Sequence, residues 1–131
     1  MAYKNPLIVT AAIIRWGEKI LITKRPDYSR LWEFPGGKME YGETAEECLK
    51  REIKEELDCE VKVGKVFDVS SHVYENGSHV VIIFYECAMR RGEPKATEHE
   101  EIKWVFPAEL NEYKFVEADR GIVSRLVKLS A

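Results

Sequence analysis

Pro35-Gly36-Gly37 stands just ahead of an acidic, helix-patterned stretch, and together they constrain this chain more than any other feature. Proline removes a backbone donor and paired glycines invite conformations closed to other residues, so regular structure is expected to stop at the bend. Beyond it, Thr44 with Glu47 three residues on makes a capping box. Ala45, Leu49, Ile53 and Leu57 recur every four residues, which predicts an amphipathic helix over residues 44–57. Seven glutamates lie between positions 40 and 56, opposed in that window only by Lys50, Arg51 and Lys54. Glu52, Glu55 and Glu56 are three and four residues apart, so their carboxylates leave one face of the helix.

Like charges at that spacing repel by a few tenths of a kcal/mol per pair, and by more when partly buried. A cation would offset the repulsion. Oxygen donors without a histidine or cysteine spacing favour Mg²⁺, with Mn²⁺ as the alternative, over zinc. A Glu-rich helix can also be merely a solvated face, but the frame here is specific. The glycine turn can bring backbone groups close to a metal or phosphate. Arg51 can pair with Glu43 and leave the other carboxylates aimed.

The rest of the chain supplies a scaffold. Its 131 residues suit one domain, expected to span positions 1–131. Residues 7–14 read as a buried strand, and Trp16-Gly17-Glu18 turns it into a partner over residues 19–24. Residues 26–30 read as a loop. A long strand over residues 60–74 and its return over 79–89 flank Asn76-Gly77, a tight-hairpin signal. Residues 90–100 form a polar loop, 102–106 a last strand, 107–110 a helical turn and 118–129 a closing helix. Strands outnumber helices and the main helix lies between two hairpins, which favours a mixed sheet with helices packed on it.

Twenty basic against 23 acidic residues give a net charge of −3. A nucleic-acid polymer would call for a basic excess, so a small phosphate ligand is the better match. The longest apolar run, residues 80–85, is far short of the ~18 needed to span a bilayer. No leader is recognisable at the start, and a cytoplasmic protein without membrane contact is expected. Cys48, Cys59 and Cys87 fit neither a zinc pattern nor a disulfide framework and are expected to be reduced packing residues.

Gly37, five residues, Glu43, seven residues, then Arg51-Glu52-Ile53-x-Glu55-Glu56 resembles the Nudix box. That signature ends in any residue, a glycine and an aliphatic residue, where this chain has Leu57, Asp58 and Cys59. Asp58 therefore replaces a residue expected to cap the helix in a left-handed conformation, which Asp tolerates better than most. The likeness extends to the opening hairpin, Leu31-Trp32-Glu33-Phe34-Pro35-Gly36-Gly37 and the closing helix, and points to the MutT branch. It implies an α/β fold, an α/β/α sandwich around a mixed sheet. It also implies Mg²⁺-dependent attack of water on a nucleoside triphosphate, giving the monophosphate and pyrophosphate.

The resemblance distributes roles. Glu52, Glu55, Glu56 and the carbonyl of Gly36 would hold metal, with Glu56 the main ligand and Glu43 and Arg51 as catalytic support. Glu98, favoured over Glu100 and Glu101, would add a ligand or base from a late loop, leaving the general base as Glu52 or Glu98. Lys24, Arg25, Lys38 and Gly37 are candidates for phosphate contact. Phe34 and residues 115–119 would cradle the base. Relatives that prefer oxidised guanine carry Asn where this chain has Asp119; ionised Asp only accepts hydrogen bonds, so a cytosine or adenine edge is as plausible as 8-oxoguanine. His72, Tyr74 and His79 could line the pocket. Alternatives are a pyrophosphatase for ADP-ribose or another nucleoside diphosphate derivative, and a nucleotide-sensing module without turnover. A monomer and a homodimer fit equally.

Overall fold

Residues 7–14 are apolar almost without a break, as expected of a strand covered on both faces. The computed structural model describes residues 5–131. Its strands are β1 (Leu7–Trp16), β2 (Lys19–Lys24), β3 (Trp32–Glu33), β4 (Gly36–Lys38), β5 (Glu60–Val73), β6 (His79–Arg91) and β7 (Glu101–Val105). Its helices are α1 (Ala45–Leu57) and α2 (Arg120–Leu129), with 3₁₀ turns at Pro107–Glu112 and Glu117–Asp119.

The strands form one mixed sheet in the order β3-β2-β1-β6-β5, with β4 also paired to β1 and β7 to β2. Among the described strand pairs only β1 and β6 run parallel, in register from Leu7↔Val80 to Arg15↔Ala88. Side chains of β1 alternate between two cores. Ala11 and Ile13 join Ile20, Ile22, Phe84 and the α2 residues Ile122, Val123 and Leu126. Ala12 and Ile14 join Leu21, Tyr85 and the α1 residues Leu49, Ile53 and Leu57. One helix thus covers each face, and each large aliphatic side chain removed from water contributes roughly 1.5 to 3 kcal/mol.

Helix α1 begins as its sequence implies. Thr44 Oγ1 accepts from the Glu47 N–H at 3.1 Å, and Glu47 Oε1 accepts from the Thr44 N–H at 2.8 Å. The three cysteines are free and buried. No helix among the described residues is long and apolar enough to cross a membrane.

Two expectations need correction, and both concern the site. The hairpin of β1 and β2 is paired only at its tip, through Arg15↔Ile20 and Trp16↔Lys19. Regular structure also does not end at Pro35-Gly36-Gly37: Gly36–Lys38 is a short strand, pairing Ala11↔Gly36, Thr10↔Gly37 and Val9↔Lys38. Glycine is what allows it. A Cβ on Gly36, at φ +157°, would overlap the Thr10 carbonyl oxygen. The bend is therefore threaded beside β1 where β2 has diverged to pair with β3 and β7.

Candidate active site

Arg51 draws together Glu43, ahead of α1, and Glu52 and Glu55 on it. Arg51 Nε and Nη2 donate to the two Glu43 oxygens, each at 2.8 Å, a bidentate pair that fixes guanidinium orientation. Arg51 Nη1 also reaches Glu52 Oε1 at 2.9 Å and Glu55 Oε2 at 3.3 Å, and Nη2 reaches the Lys38 carbonyl at 3.1 Å. The guanidinium beside Glu43 holds that carboxyl down at about 2. The same contacts raise Arg51, which stays charged throughout.

Glu52 lies against the glycine bend so closely that a Cβ on Gly37 would strike its carboxylate. Its side chain is 17% exposed, whereas that of Glu55 is 55% exposed. The one-face geometry thus holds for direction, but Glu52 and Glu56 point inward and Glu55 lies at the rim.

Glu56 has a different partner. Its Oε1 stands 3.3 Å from Nε2 of His99, whose side chain is only 4% exposed. Burial pushes the Glu56 carboxyl above its usual range; His99 opposes this, while the charges of Glu52 and Glu98 add to it. Glu56 Oε2 and His99 Nδ1 are both buried without a hydrogen-bond partner. The loop carrying His99 is clamped to the end of α1, where helix carbonyls lack internal partners. Thr97 Oγ1 donates to the carbonyl of Glu56, with that of Glu55 at 3.1 Å, and the Lys95 N–H donates to that of Leu57 at 2.8 Å. Farther on, the Glu100 N–H donates to the Lys24 carbonyl at 3.0 Å.

Beside this cluster lies a cleft of about 490 Å³, lined by Arg25, Glu33, Gly36, Gly37, Lys38 and Asp119 among others. Phe34 and Tyr74 also line it. Asp119 is 4% exposed, and its Oδ2 accepts from the Phe34 N–H at 3.0 Å. Burial raises its carboxyl to about 7, so that it changes charge near neutral pH. Glu33 is also raised, chiefly by burial, with Arg25 and His99 opposing.

The fold brings most of the expected residues together, with exceptions. Lys24 does not line the cleft: it is the cross-strand partner of Trp32, and its ammonium lies 5.9 Å from that ring's centroid. Arg25, just beyond the end of β2, lines the cleft instead. Phe34 is 4% exposed and its ring packs on Phe84 and Phe115, so what it offers the cleft is mainly backbone. Glu98 is exposed but close enough to act on Glu56, while Glu100 pairs with Arg30 at 3.3 Å and Glu101 with Lys103 at 3.6 Å. Of the hairpin residues Tyr74 lines the cleft; His72 meets Glu117 at 3.1 Å and His79 meets Ser71 at 2.8 Å. Among the described residues no three His, Cys, Asp or Glu side chains converge as a ready-made metal site. Arg51 holds Glu52 and Glu55 while Glu56 turns to His99.

Residues 6–126 match the NUDIX domain family. The chain belongs to that family. It is 38% identical over 128 residues to the putative 8-oxo-dGTP diphosphatase 2 of Mycobacterium tuberculosis, covering 95% of this chain and 89% of that protein. It is 35% identical over 127 residues to the CTP pyrophosphohydrolase of Escherichia coli, covering 94% and 93%. The solution structure of the E. coli ORF135 protein superposes with a TM-score of 0.80 at 33% identity, covering 95% of this chain and 91% of that one. This chain stands among the MutT-like Nudix hydrolases, a group that generally needs a divalent metal ion.

Within the Nudix box, the departure at Asp58 is accommodated as expected. Asp58 caps α1 at φ 50° and ψ 43°, its N–H donating to the Lys54 carbonyl at 3.0 Å. Lys54 Nζ meets its carboxylate at 3.0 Å. Two site residues lie outside what sequence reasoning identified. His99 sits among Glu98, Glu100 and Glu101, and no spacing sets it apart from that acidic run. Glu33 is flanked by Trp32 and Phe34, and such a charge between buried aromatics is the signal that would have found it.

Proposed function

We propose that this Nudix enzyme hydrolyses a nucleoside triphosphate to the nucleoside monophosphate and pyrophosphate. One observation carries the reading: Gly37 lines the cleft and at the same time abuts the Glu52 carboxylate. A ligand in the cleft therefore has its polyphosphate within reach of the acidic cluster and its base toward Asp119.

The donor set suits a hard divalent cation. Glu56 Oε2 is a buried carboxylate oxygen without a partner, and Glu52, Glu55 and the Gly36 carbonyl supply further oxygen. We assign these as holders of Mg²⁺, replaceable by Mn²⁺, with Glu98 completing the set from the late loop. Such an ion screens phosphate charge and lowers the pKa of a coordinated water. Arg51 neutralises Glu43 and aims Glu52 and Glu55. Arg25 and Lys38, both on the cleft wall, meet phosphate oxygens. Glu52 or Glu98 takes the proton from the attacking water. No nucleophilic side chain is needed, because water adds directly at phosphorus.

Base selection falls to Asp119. With its carboxyl raised to about 7 it is partly protonated near neutrality and can donate as well as accept. That makes 8-oxo-dGTP and CTP or dCTP the substrates to test first. The test is a nucleotide panel with Mg²⁺, with and without chelator, including ADP-ribose. Pyrophosphate and monophosphate should appear and chelator should abolish both. Release of orthophosphate, or faster cleavage of ADP-ribose, would overturn the assignment.

A further inference from the structure

The buried pair of Glu56 and His99 contains more than the reaction above uses. His99 is the only histidine in the loop between β6 and β7, and its side chain is almost wholly enclosed. Burying an imidazole costs free energy unless its nitrogens find partners. Here Nε2 has one, Glu56 Oε1 at 3.3 Å, while Nδ1 has none. The opposite oxygen of the same carboxylate, Oε2, is likewise buried and unpartnered. The loop is held by Thr97 and Lys95 on the last carbonyls of α1 and by the Glu100 N–H on β2. The imidazole is therefore not a mobile side chain that happens to lie near Glu56; the backbone on both sides of it is tied down.

We propose that His99 is a positioning residue: it holds Glu56 by Oε1 so that Oε2 is kept free and oriented as a cation ligand. A carboxylate on a helix has two side-chain torsions and a terminal rotation to lose before both oxygens are placed. A donor on one oxygen removes that freedom in advance. Partners of this kind, one step behind a metal ligand, typically change metal affinity by 10- to 100-fold when removed. This inference rests on the assignment of Glu56 as a ligand, and its test separates the two.

The experiment is titration of the full chain with Mn²⁺ alone, reading free Mn²⁺ by electron paramagnetic resonance, alongside kcat and KM at saturating Mg²⁺. His99→Gln retains an N–H at the reach of Nε2. His99→Asn places its amide only as far as Nδ1. His99→Leu has neither. We expect Leu and Asn to weaken Mn²⁺ binding about 10-fold or more, with Gln within a few-fold of the parent. The fall in activity should appear mainly in kcat, because KM for the nucleotide reports the cleft. If the Leu variant does not fold, the Gln and Asn pair decides alone. Equal Mn²⁺ affinity in Gln and Asn variants, or parent-like affinity in all three, would overturn the proposal. Glu56→Gln is the control: if it binds Mn²⁺ like the parent, the ligand assignment of Glu56 itself fails, whatever His99 does.

Discussion

Asp119 accepts a hydrogen bond from the backbone N–H of Phe34 at 3.0 Å, across 85 positions of sequence. The bond joins the residue at the start of α2 to the strand-to-bend segment that carries Gly36 and Gly37. Asp119 does not cap α2 with its side chain; the carboxylate is turned into the cleft instead.

Burial of Asp119 has a pH signature. The carboxyl moves from 3.8 to about 7 on folding, so the folded state favours its protonated form. The stability it contributes is fully present below pH ~4 and is lost as pH rises through about 7. Asp119→Asn should remove that slope and be more stable than the parent at pH 8, by about 2 to 4 kcal/mol. Thermal unfolding of both proteins at pH 5 and pH 8 checks this; parallel curves would refute it.

The same titration should show in substrate choice. Protonated Asp119 offers a donor and an acceptor, ionised Asp119 only acceptors. The ratio of kcat/KM for 8-oxo-dGTP over dCTP is expected to rise as pH falls from 8 to 6. In Asp119→Asn the ratio should be higher at pH 8 and nearly flat. Unchanged ratios would remove Asp119 from the base site.

The two glycines of the bend should fail differently. A Cβ on Gly36 meets backbone of Thr10 and Ala11, which cannot move without breaking β1–β4 pairing. Gly36→Ala should cost about 3 kcal/mol or more in denaturant unfolding. A Cβ on Gly37 meets the movable end of Glu52. Gly37→Ala should fold normally yet lose about 100-fold in kcat through displacement of that carboxylate.

Glu56→Gln keeps the shape of the side chain and removes its charge. Turnover is expected to fall roughly 1,000-fold at saturating Mg²⁺, since a lost ligand removes several kcal/mol of transition-state stabilisation. Nearly unchanged kcat would refute the role given to Glu56.

Asp58 carries a conformational cost that glycine would not. Its left-handed backbone, φ 50°, disfavours an L side chain by about 1 kcal/mol. The exposed pair with Lys54, screened by solvent, returns only part of this. Asp58→Gly should therefore raise stability by about 0.5 kcal/mol, seen as a small shift of the urea midpoint at constant slope.

Much of this was legible residue by residue. The capping box at Thr44, the stripe of Leu49, Ile53 and Leu57, the Arg51–Glu43 pair and the left-handed cap at Asp58 are local matters, governed by neighbours within a few turns of chain. Lys24 was harder, because which side of β2 faces the cleft depends on a cross-strand partner, Trp32, that lies in another segment. His99 was missed for the same kind of reason. Nothing in residues 95–100 announces that the loop will be pinned to the end of α1.

The sequence alone determined that an acidic helix follows a double-glycine bend, because helix period, capping and glycine's backbone freedom act over short distances. Tertiary structure alone decided that β4 threads beside β1, that Glu56 finds His99, and that Asp119 is sealed against Phe34. Those outcomes depend on burial and on which distant segments share a hydrogen bond, and both arise only when two cores close on opposite faces of one sheet.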